Sequence, residues 1–251
     1  RLRPLGGGGS IERVVTRDAF LTSLDRDMRG MLEVLRSSDL ALPVPDCPGW
    51  TLLDLGRHLA EVHSWARGIV TTGAAGEPDA ITSDPAALAG AYRDQAAGLL
   101  DALRSTDPQT PVWTMGPPPR TASFWVRRQA HETAMHLGDA RRALGLDAPM
   151  SAELAADGVD EVVEVLFSRQ VRLERIRPLA HGMRLELTDV PGASCTVAGD
   201  GTDPDAPVVA TVSGTAYDVL HALWHRGGIE RLEVDGDGIA VLAIFATALT
   251  T

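Results

Sequence analysis

His131-Glu132-Thr133-Ala134-Met135-His136 lies inside a stretch, about Thr121 to Leu144, whose spacing predicts a long helix stopping at Gly145. The phrase is close to the H-E-x-x-H zinc pattern but carries one residue too many. In that pattern the histidines stand at i and i+4 and share a face. Here they are five apart, so at about 100° per residue they point roughly 140° away from each other. One helix cannot offer both to one metal. The pair that shares a face is Glu132 with His136, at i and i+4. That pair supplies two ligands and needs a third from another helix.

Upstream, the chain supplies three more helices. The first is expected from about Thr16 to Ser38, with Phe20, Leu24, Met28, Met31, Leu32 and Leu35 at helical spacing. Pro43, Pro45 and Pro48-Gly49 break the chain before a second helix begins at Thr51. Thr51 with Asp54 three residues on reads as a variant capping box, and Leu52, Leu55, Leu59, Val62, Ala66 and Ile69 form the apolar stripe down to Gly73. A third helix opens at Asp84-Pro85, an N-cap followed by proline at the first helical position, and reaches Ser105. The loop Pro108 to Pro119, with five prolines, leads into the fourth. Four amphipathic helices joined by proline-rich connections predict a helical bundle with an inward-facing site.

Gly145 to Pro149 is the expected boundary, because beyond it the period changes. A helix from Ser151 to Phe167 precedes alternating segments at Arg184–Leu187, Ser194–Val197 and Val208–Val212, separated by Gly, Asp and Pro turns. A helix from Thr215 to His225, a strand at Arg231–Val234 and an Ala-rich terminal helix complete a small α+β domain. The expected division is a flexible tail over 1–15, a bundle over 16–147 and the α+β domain over 148–251. Arg1 to Ser10, with its Gly6-Gly7-Gly8-Gly9-Ser10 run, is set aside from the fold.

Composition excludes several classes. The net charge of −11 argues against a nucleic-acid partner, which needs a basic surface. All 23 basic residues are arginine, so Schiff-base chemistry is ruled out. The two cysteines, Cys47 and Cys195, are far apart, so a disulfide framework is not expected and a reducing cytoplasm is the default. No apolar run approaches the roughly 20 residues that span a bilayer. P-loop, Rossmann and zinc-ribbon patterns are absent, and Asp235-Gly236-Asp237-Gly238 reads as a turn.

For the third ligand the second helix offers His58, within the apolar stripe, and His63, beside it; five apart, they cannot face the same point. Two histidines and a glutamate from two helices would leave a tetrahedral zinc with one open position, as in catalytic sites. The alternative is an arginine, Arg127 or Arg128, neutralising Glu132, with His58 a satisfied core residue. His131 and His63 are expected as core or rim histidines, Cys47 as a small packed residue, and Trp50, Trp65 and Trp125 as core. Arg57 and Arg128, beside the proposed ligands, could reach the cleft but are expected on the surface.

Two signatures carry a family resemblance. Cys47-Pro48-Gly49-Trp50-Thr51 with Asp54-Leu55 and His58-Leu59-Ala60 resembles the first signature of mycothiol-dependent maleylpyruvate isomerase-type proteins in the DinB superfamily. Arg128-Gln129-Ala130-His131-Glu132-Thr133-Ala134-Met135-His136 with Asp139-Ala140 resembles the second. The resemblance implies a DinB-like four-helix bundle followed by a small α+β, sterol-carrier-like domain. It also implies a divalent metal, usually zinc, held by His58, Glu132 and His136, with mycothiol as thiol cosubstrate. Arg226, after Trp224-His225, resembles a family position implicated in catalysis; without the resemblance it is a cation at a helix C-terminus.

The function implied is attack of a metal-bound thiolate on an electrophilic small molecule, giving cis–trans isomerisation of the maleylpyruvate type. A mycothiol S-transferase, in detoxification or natural-product biosynthesis, shares the first bond-forming step. A non-catalytic small-molecule binding protein is the alternative of another class, and loss of a metal ligand would mark it. An actinobacterial, cytoplasmic protein is expected, monomeric or weakly dimeric, without nucleic-acid or membrane partners.

Overall fold

The computed structural model describes residues 15–201 and 207–250; the Gly-rich segment Arg1–Ser10 lies outside them. The chain divides into two compact units, one spanning Thr16–Pro149 and the other beginning at Met150. The first is a bundle of α1 (Arg17–Ser37), α2 (Leu52–Thr72), α3 (Pro85–Ser105) and α4 (Ala122–Ala143).

Local chemistry sets the helix ends. Thr51 caps α2 by accepting from Asp54 N, while the Asp54 carboxylate accepts from Thr51 N, closing the capping box. Asp84 caps α3 with Pro85 at the first helical position. Gly73, at φ +80°, ends α2 in the left-handed conformation that a side chain would strain. The core is the apolar stripe of each helix: Leu24 and Met31 of α1, Leu55, Leu59 and Ile69 of α2, Leu88 and Leu99 of α3, and Trp125 and Ala130 of α4 are fully inaccessible or nearly so. α4 differs from the others. Almost every residue from Trp125 to Ala140 is buried, polar ones included.

The second unit holds α5 (Ala152–Glu161), a π-helical turn (Val162–Phe167), α6 (Ser168–Arg172), β1 (Leu179–Leu187), β2 (Ser194–Gly199), β3 (Val208–Gly214), α7 (Ala216–Leu223), β4 (Glu233–Gly236) and α8 (Gly238–Phe245). The sheet order is β2-β1-β3-β4, with β1 parallel to β3 and the other pairs antiparallel. Met183, Leu185 and Leu187 point to the buried face and Arg184 and Glu186 to solvent, the period of two that the sequence displays.

Two expectations shift. β1 begins at Leu179, five residues before the alternating pattern, because Gly182 lets β2 approach; a Cβ there would meet the Ala198 Cβ at 2.4 Å. The last strand occupies Glu233–Gly236, because Ile229–Arg231 forms a 3-10 turn. Asp235-Gly236-Asp237-Gly238, expected as a turn, instead divides between elements: Asp235 and Gly236 pair with Thr211 and Ala210 in β4, and Asp237 caps α8 through Ile239 N and Ala240 N. Among the described residues no helix is long and apolar enough to cross a membrane.

Candidate metal centre

α4 projects Glu132 and His136 from one face, and α2 brings His58 to meet them. Glu132 Oε1 lies 3.2 Å from His58 Nε2 and 3.4 Å from His136 Nε2. One ligand atom from each of the three residues falls within 4.8 Å of the other two. His131 points elsewhere: it is buried edge-on to Phe20, its ring centroid 5.7 Å away, as the five-residue spacing requires. The structure thus brings the three proposed ligands together and leaves His131 apart.

The far side of each α4 ligand is already occupied. Arg128, one turn before Glu132, holds Glu132 Oε2 in a close ion pair. Burial works against the Glu132 charge, yet Arg128 and the His136 and His58 imidazoles outweigh it and hold the carboxyl well below its ordinary range. His136 Nδ1 donates to Asp139 Oδ2 at 2.9 Å. Burial alone would lower the His136 pKa, but Asp139, Cys47 and Glu132 together raise it well above the usual histidine value. What remains turned toward the common point is Glu132 Oε1 and Nε2 of both histidines.

Several neighbours contradict their sequence reading. Arg128, expected on the surface but also offered as the arginine neutralising Glu132, is buried against Glu132 because it stands at i−4 on the same inner face. Trp50 is not a core residue. Half-buried in the loop before α2, it places its ring 5.0 Å from that of His58 and 6.4 Å from that of His136. Cys47, expected as packing, donates to Asp139 Oδ2 at 3.4 Å. The two histidines of α2 also exchange places: the stripe Leu55–Leu59–Ala66 runs through His63, which is fully buried, whereas the His58 side chain keeps 33% of its exposure. Trp125 is core as expected, and Arg57 lies along α2 near Glu61 at 3.5 Å.

Asp139, Arg142 and Asp46 carry no role in the sequence reading. The signal was available for two of them, since Asp139 follows His136, and Arg142 follows Asp139, at i+3 along α4. Asp46 is brought in by the loop and has no such periodicity. Arg226 belongs to the second unit, just past α7. Its backbone N donates to His221 O at 2.7 Å, and its guanidinium donates to Trp224 O at 3.1 Å.

The models of known families match most of the chain. The mycothiol maleylpyruvate isomerase N-terminal domain matches residues 21–141, and the C-terminal domain of the same proteins matches residues 153–242. The chain belongs to the mycothiol-dependent maleylpyruvate isomerase family. The fold is similar to the crystal structure of the mycothiol-dependent maleylpyruvate isomerase, with a TM-score of 0.61 at 18% identity. It is likewise similar to a histidine-to-alanine variant of that protein, with a TM-score of 0.63 at 17% identity. Each comparison covers 88% of this chain and 93% of the other. No curated protein gives a significant match. The family's two-part plan, a four-helix unit followed by a small mixed sheet with helices, is the plan of this chain.

Proposed function

We propose that this chain is a metal- and mycothiol-dependent enzyme that isomerises a cis-unsaturated diacid of the maleylpyruvate type. The observation that carries the reading is the convergence of His58 Nε2, Glu132 Oε1 and His136 Nε2 while the opposite atoms of the two α4 residues are engaged. Two imidazoles and one carboxylate suit zinc, and three protein ligands leave a position for an incoming group. These residues fit the metal that the family reading requires. When bound, the metal would supply a Lewis-acidic position that lowers the pKa of a thiol and favours the nucleophilic thiolate.

The chain's own residues prepare that position. Arg128 compensates the Glu132 charge, so the carboxylate stays ionised in a buried place. His136 turns Nδ1 to Asp139 at 2.9 Å and Nε2 toward Glu132 at 3.4 Å. Trp50 covers both histidine rings and limits water around them. Arg226, carried over from the family position it resembles, is proposed to meet a substrate carboxylate.

The reaction these features serve is addition of the thiol sulfur to the cis double bond, rotation about the resulting single bond, and expulsion of the thiol to give the trans isomer. The test has two arms. Purified protein should hold one equivalent of metal, and His58→Ala and Glu132→Ala should not; equal metal in all three would sink the site. With mycothiol and maleylpyruvate, fumarylpyruvate should accumulate without a stable adduct. A stable mycothiol adduct would instead make the chain an S-transferase, and metal binding without turnover would make it a binding protein.

A further inference from the structure

Behind His136 runs a chain of polar contacts that the three ligands do not need in order to converge. His136 Nδ1 donates to Asp139 Oδ2, and Arg142 Nη2 donates to Asp139 Oδ1 at 2.7 Å. Arg142 Nε in turn donates to Asp46 Oδ2 at 2.5 Å, and Cys47 Sγ adds its 3.4 Å contact to Asp139 Oδ2. The Asp139 side chain has no solvent exposure. A carboxylate in that position costs several kcal/mol unless its charge is compensated, and here both oxygens are engaged by donors. Because Asp139 stands three residues after His136 and three before Arg142, the helix itself sets it beside both.

Asp46 and Cys47 lie in the loop between α1 and α2, which is held by Val44 N to Trp50 O, Cys47 N to Val44 O and Trp50 N to Cys47 O, at 2.9, 3.0 and 2.9 Å. The loop is a short closed turn, so fixing Asp46 to Arg142 also fixes Trp50 at its other end. The same polar chain therefore reaches the imidazole from behind and the indole that covers it from the front.

We propose that Asp139 is a positioning residue that sets which nitrogen of His136 faces the metal centre, and that Arg142 and Asp46 extend this control to the loop carrying Trp50. The proposal rests on the metal reading of His58, Glu132 and His136. Cys47, His136 and Asp139 also bring three ligand atoms within 4.8 Å of one another, which raises a second ion as the competing arrangement. The Arg142 cation on Asp139 opposes it, since it already compensates the carboxylate and would repel a second cation.

The test uses the full chain, titrated metal-free with zinc against a chelator and with cobalt followed by visible absorption. Asp139→Ala should weaken zinc binding by about 10- to 100-fold and alter the cobalt spectrum, the effect expected when the group orienting a ligating histidine is lost. Asp139→Asn, which keeps an acceptor, should lose less. If the alanine variant does not fold, Asp139→Asn and Arg142→Gln decide. Arg142→Gln should weaken zinc by a few-fold and reduce the tryptophan fluorescence change on zinc binding, a change that Trp50→Phe should abolish. Zinc affinity and cobalt spectra matching wild type in the Asp139 variants would overturn the proposal. So would two equivalents of zinc in wild type falling to one on Asp139→Asn, which would make the group a ligand set. Should wild type bind no metal, the functional reading fails by itself. Proton NMR then decides the positioning role: a low-field His136 Nδ1–H resonance present in wild type and lost in Asp139→Ala supports it, and its absence from wild type overturns it.

Discussion

Two histidines on α2, five residues apart, sit in polar regions of opposite kind. His58 meets a carboxylate, a second imidazole and, through Glu132, a guanidinium. His63 meets a hydroxyl, Thr133 Oγ1 at 3.1 Å, and the ring of Tyr92 with centroids 5.5 Å apart. The first region concentrates opposite charges at the edge of solvent. The second is neutral, and burial pushes the Tyr92 hydroxyl pKa up and the His63 pKa down to about 3. The contrast teaches that burial alone does not mark a site. His63 is the more buried residue, yet only His58 has partners whose charges call for a cation.

The largest effect should come from breaking the charged region. His58→Ala or Glu132→Ala is expected to lose stoichiometric metal and at least about a hundredfold in turnover, since a bound metal supplies several kcal/mol of stabilisation and each 1.36 kcal/mol is tenfold. His63→Gln should retain its metal. If metal analysis shows both histidines equally necessary, the division between the two regions fails. Next in size is Arg128→Met, which leaves Glu132 without its buried partner and should destabilise the metal-free protein by about 3 kcal/mol. Excess zinc should recover much of that loss, because a cation at Glu132 replaces the missing one. Denaturant unfolding with and without zinc measures both; a deficit unmoved by zinc would place Arg128 outside the ligand environment.

The same contrast explains what the sequence made legible. Helical period, caps and turns are local, so the four helices, the Thr51–Asp54 box and the period of two from Arg184 could be read directly. The Glu132–His136 pair was likewise readable, because both residues share one helix. Contacts carried by loops were not. Trp50 looks like any aromatic beside a helix start until the turn from Val44 to Trp50 lays it over the histidines. Asp46 reaches Arg142 across 96 residues of chain, and no periodicity announces it. Nor did the apolar stripe of α2 separate His58 from His63, since the sequence does not say how far the helix is rotated about its axis. Partner charge, visible only in three dimensions, makes that separation.

A smaller effect sharpens the comparison from the neutral side. His63 is held neutral: burial is the main cause, Glu132 pulls the other way, and the neighbouring His58 and His136 reinforce burial. Its pKa lies near 3 in the folded chain against an ordinary 6.5. Between those values the unfolded chain binds a proton that the folded chain does not, so falling pH favours unfolding. The contribution is fully present above about pH 6.5 and is lost below it, at about 1.4 kcal/mol per pH unit. Unfolding free energies of wild type and His63→Gln, measured from pH 7 to pH 5, should therefore diverge with that slope, the wild type losing stability faster. Parallel curves would mean that the folded chain accepts the proton at His63. The Glu132 charge would then reach one turn further along α2 than the contacts imply, and the two polar regions would be one.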